Sequence, residues 1–343
     1  MYLYNRIYFP PEWYPQSGIQ LTWPHEETDW ADMLEEVTEC YVALSKEILK
    51  REKLLVVCRK KEQVTRYFTK MEQRRLITAE IESNDTWARD HGGISVFIRN
   101  NPAILDFEFN AWGLKFPANY DNQITPKLYF NGFFDGEVSQ FNHFHFILEG
   151  GSIENDGKGT LLTTSACLLA PNRNQPMTQQ DIEVKLKQTL GIERVLWLHH
   201  GYLAGDDTDN HIDTLARFCN EETIAYVQCT DETDEHFEEL QRMEEQLRTF
   251  TTWQGKPYTL VPLPMADPVY HDGRRLPATY ANFLIINGAV LMPAYGTPAD
   301  DRAKRQLQRI FPEREVIAID CRALIKQHGS LHCIAMQFPE GFL

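Results

Sequence analysis

Between residues 26 and 51 the apolar positions Leu34, Val37, Tyr41, Leu44 and Ile48 recur at spacings of three and four, which predicts an amphipathic helix. The unbroken apolar run Leu54–Cys58 that follows predicts a buried strand. Residues 145–154 alternate before a Gly-Gly break, and 160–169 read as the returning strand of a hairpin. Thr178 with Asp181 three residues on predicts a capped helix start, and Gly191 a stop. Strands are expected at Val195–Leu198 and 222–229. A helix is expected over 231–250, with Phe237, Leu240, Met243, Leu247 and Phe250 on one face. Asn287-Gly288 suits a type I′ turn inside a hairpin spanning Tyr280–Pro293. A helix near 299–311 and a strand near 315–321 complete an α/β alternation with no linker, so one domain over 1–343 is expected.

Within this alternation, polar residues stand near the ends of expected strands at Asp90, Glu149, Asp213 and Cys333. Their separations are 59, 64 and 120, the last being twice sixty. That spacing fits about five units of about 60–70 residues, as in a propeller-like repeat with one site at its axis. A doubly wound sheet would explain the same alternation of elements.

Composition narrows the function classes. Charged residues make up 24% of the chain and apolar residues 43%, the balance of a folded globular protein. The formal charge of −15 disfavours nucleic acid; it also concentrates small cations near the surface, although solubility alone is the simpler reason for such a charge. The opening MYLYNRIYFPPEWYP lacks an apolar core for a leader, and no run is long enough for a membrane span. A cytoplasmic protein is therefore expected, and a homo-oligomer stays open. Seven widely spaced cysteines without a CxxC pair predict reduced thiols rather than a disulfide framework or a zinc site.

Four stretches could carry chemistry. In Asn84-Asp-Thr-Trp-Ala-Arg-Asp-His-Gly-Gly93, Asp90 could bind a cation and Trp87 could stack on a flat one; a glycine turn beside a core tryptophan explains the stretch equally simply. In Leu148-Glu-Gly-Gly-Ser-Ile153, Glu149 ends an apolar run before two glycines, which a plain hairpin bend would also produce. Gly205-Asp-Asp-Thr-Asp-Asn-His-Ile-Asp213 packs four aspartates and a histidine into nine residues. His211 and Asp213, two apart, would share one face of a strand. The same cluster could instead hold a metal, with His199-His200 or His143 and His145 adding ligands. In Gly329-Ser-Leu-His-Cys333, Cys333 follows a turn and adjoins a histidine; it is the one cysteine with the setting of a nucleophile.

TWARDHG, LEGGSIE, GDDTDNHIDTLARF and GSLHC, in this order and at these separations, resemble the agmatine deiminase family of the guanidine-modifying (pentein) superfamily. PPEWYPQSGIQLTWPHEETDW resembles that family's N-terminus, and the likeness runs from residue 10 to residue 340. The resemblance implies a five-bladed α/β propeller. It implies Cys333 as nucleophile, His211 as general acid and base, and Glu149 as the acid that orients the histidine. Asp90 and Asp213 would bind the guanidinium, and Trp87 would belong to the pocket. No metal and no organic cofactor is implied. Agmatine is the expected substrate, with arginine, free or in peptides, as the alternative. Two departures stand out: Asn210, where many members have glycine, and GSLHC, where others have a GN- or GG-containing turn.

Overall fold

A computed structural model describes residues 7–343. The first six residues, part of the stretch read above for a leader, lie outside the described residues.

One arrangement recurs five times. A short strand pairs antiparallel with the next, and the chain then crosses over to add a third strand parallel to the second. Ile94–Ile98, Asn101–Glu108 and Ser139–Ile147 do this first, with Ile7–Tyr8 added at the edge. Ile153–Asn155, Thr160–Thr164 and Arg194–Leu198 repeat it, as do Ala216–Asn220, Thr223–Gln228 and Thr259–Pro264. Leu284–Ile286, Ala289–Ala294 and Glu315–Asp320 form the fourth. The last joins the two ends of the chain: Ala335–Pro339 pairs antiparallel with Gln16–Thr22, which runs parallel to Lys53–Cys58 and so brings in Leu76–Glu80. A small ribbon, Tyr270–His271 with Arg274–Arg275, stands apart.

Helices cover the crossovers. Leu34–Leu49 buries Val37, Tyr41, Leu44 and Ile48 and packs on Lys53–Cys58 and Glu315–Asp320. Each such side chain contributes about 1.5–3 kcal/mol when removed from water. Gln179–Leu190 starts on the expected capping box at Thr178 and Asp181 and ends on Gly191 at φ 70°. Phe237–Leu247 buries Leu240, Met243 and Leu247.

Several expectations need correction. The first helix starts later than residue 26, because His25 and Thr28 form a turn closed by the Thr28 hydroxyl donating to the His25 carbonyl at 2.6 Å. Residues 145–154 are not one strand of a hairpin. Ser139–Ile147 belongs to one sheet and Ile153–Asn155 to the next, and the Gly-Gly pair is where the chain changes sheets. Thr160–Thr164 stops early because the Thr164 hydroxyl accepts from the Cys167 N–H and starts the short helix Ser165–Leu168. At Asn287-Gly288 only Gly288 takes a positive φ, 72°, so the turn is not type I′. The Asn287 amide instead pairs with the backbone of Gln16, accepting at 3.2 Å and donating at 2.8 Å, and ties this sheet to its neighbour.

Candidate active site

The turns that lead into four of these hairpins carry the residues singled out from the sequence. Asp90 lies in the short helix Ala88–His91, and Glu149 directly precedes the turn Gly150–Ser152. His211 and Asp213 flank and occupy the single 3-10 turn Ile212–Thr214. They meet through this turn and not through the strand face expected for them. Cys333 stands two residues before Ala335–Pro339. All five are buried.

Gly151 shows how tightly they converge. A Cβ there would lie 2.6 Å from His211 Nδ1, 2.8 Å from Asp90 Oδ1 and 3.1 Å from Asp213 Oδ2, so those three atoms surround one point that only glycine leaves free. The Gly151 N–H donates to Asp90 Oδ1 at 2.9 Å, and the Trp112 indole N–H donates to Asp90 Oδ2 at 2.9 Å. Trp112 itself sits in the left-handed region, φ 55° and ψ 39°, a conformation that costs about 1–3 kcal/mol in a bulky residue and aims its ring at Asp90. Cys333 Sγ lies 3.8 Å from Asp213 Oδ2 and 3.5 Å from Asn282 Oδ1. The Arg89 N–H donates to the Cys333 carbonyl at 3.1 Å, which joins the Asp90 turn to the Cys333 turn.

Glu149 is held by Arg173, whose Nε donates to Oε1 at 2.8 Å; among the described residues Oε2 has no hydrogen-bond partner, nor does Oδ1 of Asp213 or either ring nitrogen of His211, whose Nδ1 stands 3.6 Å from Asp90 Oδ1. Glu149, His211 and Cys167 present atoms within 4.8 Å of one another, yet no hydrogen bond joins the first two. Behind Asp213, His332 Nδ1 approaches Oδ2 at 2.7 Å while its Nε2 meets Glu12 at 2.8 Å. Arg217 bonds both Glu12 and Glu154 and completes that network.

Burial shapes the charge state. It drives the Cys333 thiol well above its ordinary value, and the Asp213 and Asp90 charges push the same way. It raises Asp90 strongly, reinforced by Asp213. It lowers His211 to about 3, against the pull of Asp213, so the imidazole is neutral near pH 7. Burial also raises Glu149, with Arg173 opposing. Asp213 would be raised by burial too, but the hydrogen bond and charge of His332 hold it below the usual carboxylate range.

A narrow cleft leads from the surface to Cys333. Trp87, Trp112 and Phe116 form aromatic walls, Asp29, Asp85 and Asp207 supply carboxylates, and His328 supplies an imidazole; among the described residues no lysine or arginine lines it. Trp87 is seated by Gly329, where a Cβ would come within 2.2 Å of its ring. The departure at Ser330 is absorbed by a 3.0 Å hydrogen bond with the Tyr295 hydroxyl. Asn210 adopts φ 62°, a conformation that asparagine tolerates better than most residues, so it can stand where glycine would.

The aspartates of the 206–213 cluster do not act as one ligand set. Asp206 accepts from the Thr208 hydroxyl at 2.7 Å and the Asn210 N–H at 2.8 Å, Asp209 pairs with Arg173 and Lys115, and Asp207 faces the cleft. His199 instead meets Ser165, His200 meets Glu239, and His143 stacks on Phe107. Sequence reasoning missed Trp112, Arg173, Arg217, Asn282, Cys167 and the role of His332. Only Asn282 had a signal: it leads into Leu284–Ile286 and fills the double gap between Asp213 and Cys333.

A thiol, a neutral imidazole and three carboxylates at the foot of an acidic, aromatic-walled cleft make a cysteine centre suited to a flat cation. The chain belongs to the Porphyromonas-type peptidyl-arginine deiminase family, matched over residues 8–339. It is 31% identical to the agmatine deiminase of Stutzerimonas stutzeri, over 98% of this chain and 96% of that one. A substrate-bound structure of a C. jejuni agmatine deiminase variant superposes with a TM-score of 0.92 at 38% identity, covering 100% of this chain and 99% of the other. A Porphyromonas gingivalis structure, provisionally described as an arginine deiminase, gives 0.96 at 54% identity, with 98% and 100% covered. A dimethylarginine dimethylaminohydrolase structure, 13% identical with a TM-score of 0.51, shares the fold alone.

Proposed function

We propose that the protein hydrolyses agmatine to N-carbamoylputrescine and ammonia, a step of putrescine biosynthesis, through a thiouronium formed on Cys333. The observation that carries this reading is the cleft: a thiol at its foot beside two carboxylates, and three further aspartates along walls where His328 is the one basic side chain among the described residues. A substrate cationic at both ends suits that lining. The carboxylate of arginine would meet Asp29, Asp85 and Asp207, three like charges against the one imidazole of His328.

Asp90 and Asp213 take the guanidinium, which is planar and can give each carboxylate paired N–H bonds. Trp87 walls the pocket beside it. The incoming cation offsets the negative field that keeps Cys333 protonated, so the substrate, not a protonated His211, favours the thiolate. Neutral His211 takes the thiol proton. Sulfur attacks the guanidinium carbon, and the tetrahedral centre expels ammonia, which carries away the proton returned by His211. A thiouronium remains. His211 then takes a proton from water as the oxygen attacks; collapse of the second tetrahedral centre breaks the C–S bond, the leaving thiolate takes the imidazolium proton, and the hydroxyl proton of the ureido product passes to solvent, where the released ammonia becomes ammonium. Glu149, fixed by Arg173, supports the imidazolium as it forms. No step calls for a metal or an organic cofactor.

On this reading the five repeated sheets are blades of a five-bladed α/β propeller with the centre at its axis, and the chain is one catalytic domain. A reducing compartment such as the cytoplasm suits a nucleophile that is a free thiol. Assaying ureido product with agmatine and arginine in parallel tests the proposal. Turnover of agmatine at a kcat/KM well above that for arginine is expected; the reverse order would replace agmatine by arginine.

A further inference from the structure

Four of the five hairpins are entered through a turn that bears a residue of the proposed centre. The fifth, entered before Leu284–Ile286, presents Asn282 at the same place, fully buried. Its Oδ1 accepts from the His332 N–H at 2.9 Å and the Cys333 N–H at 3.4 Å, and it lies 3.5 Å from Cys333 Sγ. Its Nδ2 donates to the Asp213 carbonyl at 3.3 Å. The two peptide N–H groups fix which end of the amide is oxygen. The sulfur therefore faces an acceptor, and the thiol hydrogen can point at it.

The amide thus spans the turn carrying the nucleophile and the turn carrying a guanidinium acceptor. We propose that Asn282 is a positioning residue of the reaction: it clamps the Cys333 turn to the Asp213 turn and receives the thiol hydrogen of the resting nucleophile. The proposal rests on the reading of Cys333 as the nucleophile. The sulfur must meet the guanidinium carbon within a few tenths of an ångström of a fixed geometry, and a shift of about 1 Å can cost about a hundredfold in rate. Asp213 also lies within reach of the sulfur, at 3.8 Å. Without Asn282 the thiol would turn toward that carboxylate, away from the line of attack.

The test uses Asn282→Ala and Asn282→Asp. Two quantities are read: kcat and KM for agmatine, and the pH dependence of Cys333 alkylation by iodoacetamide, followed on the Cys333 peptide by mass spectrometry. For Asn282→Ala we expect kcat to fall about a hundredfold, with KM within roughly threefold of the parent. Asn282→Asp keeps an oxygen for the two N–H groups but loses the Nδ2 donor to the Asp213 carbonyl, so it should fold with a lowered melting temperature; the added acid beside the sulfur should move the alkylation profile up by about one pH unit or more. A kcat for Asn282→Ala within roughly threefold of the parent, or alkylation profiles of both variants superimposed on the parent's, would overturn the assignment. Alkylation needs no agmatine. Failure of the parent to turn over agmatine would therefore count against the proposed reaction, and superimposed alkylation profiles against Asn282 alone.

Discussion

Two buried polar clusters meet at Asp213, and they differ in how fully their atoms are used. Behind it, His332 spans Asp213 and Glu12, and Arg217 bonds Glu12, Glu154 and the carbonyls of Ala281 and Phe283. In front of it, Asp213 Oδ1, Glu149 Oε2 and both nitrogens of His211 have no hydrogen-bond partner among the described residues. The residue types are nearly the same, and both clusters are buried. An unsatisfied buried polar atom costs about 1–3 kcal/mol, so the rear cluster holds the fold together while the front one leaves room for a ligand with matching donors. A guanidinium, all donors and positively charged, is complementary to free carboxylate oxygens.

The comparison breaks first if the front residues prove dispensable. Cys333→Ser should lose all detectable ureido product while melting at the parent temperature; normal turnover would remove the thiol from the reaction. His211→Ala should likewise stop turnover. The rear cluster should respond in the opposite way. Arg217→Met leaves Glu12 and Glu154 buried without their cation, and urea denaturation should show a loss of about 3–5 kcal/mol. An unchanged midpoint would mean that the rear network is not structural.

The effect of pH sharpens the same contrast. Asp90 and Glu149 have raised values in the folded state, so folding binds their protons more tightly, and this part of stability falls as pH rises above the ordinary carboxylate range. Asp213 has the opposite sign: its contribution is present above the ordinary carboxylate range and is lost as pH falls through its lowered value. A cation binds the ionised carboxylates. Agmatine should therefore bind Cys333→Ser more tightly at pH 8 than at pH 6, helped at the far end by Asp85, which burial raises to about 7. Calorimetry showing equal affinity at both values would contradict this. The smallest effect is expected from Asp207→Asn, which should raise KM for agmatine severalfold and leave kcat nearly unchanged.

What the sequence disclosed follows the same division. The spacing of Asp90, Glu149, Asp213 and Cys333 exposed the repeat, because each unit puts one polar residue in the same turn. The chemistry of His211 with Asp213 was legible from local density alone, although a 3-10 turn and not a strand brings them together. Arg173, Arg217 and Trp112 were not legible. Each reaches its carboxylate across the fold, 24, 63 and 22 residues away for Arg173–Glu149, Arg217–Glu154 and Trp112–Asp90, and nothing local marks a residue whose partner is supplied by another sheet. Cys167 was hidden for a similar reason: it looks like a small core residue until the fold sets it beside Glu149 and His211.

That proximity makes Cys167 the rival thiol and defines the most direct test. His211→Ala should form the thiouronium slowly and fail to hydrolyse it, so acid quench after mixing with agmatine, followed by peptide mass spectrometry, should find an adduct of agmatine less one ammonia on Cys333. The same mass on Cys167, or no adduct on any cysteine while the parent turns over, would contradict the account.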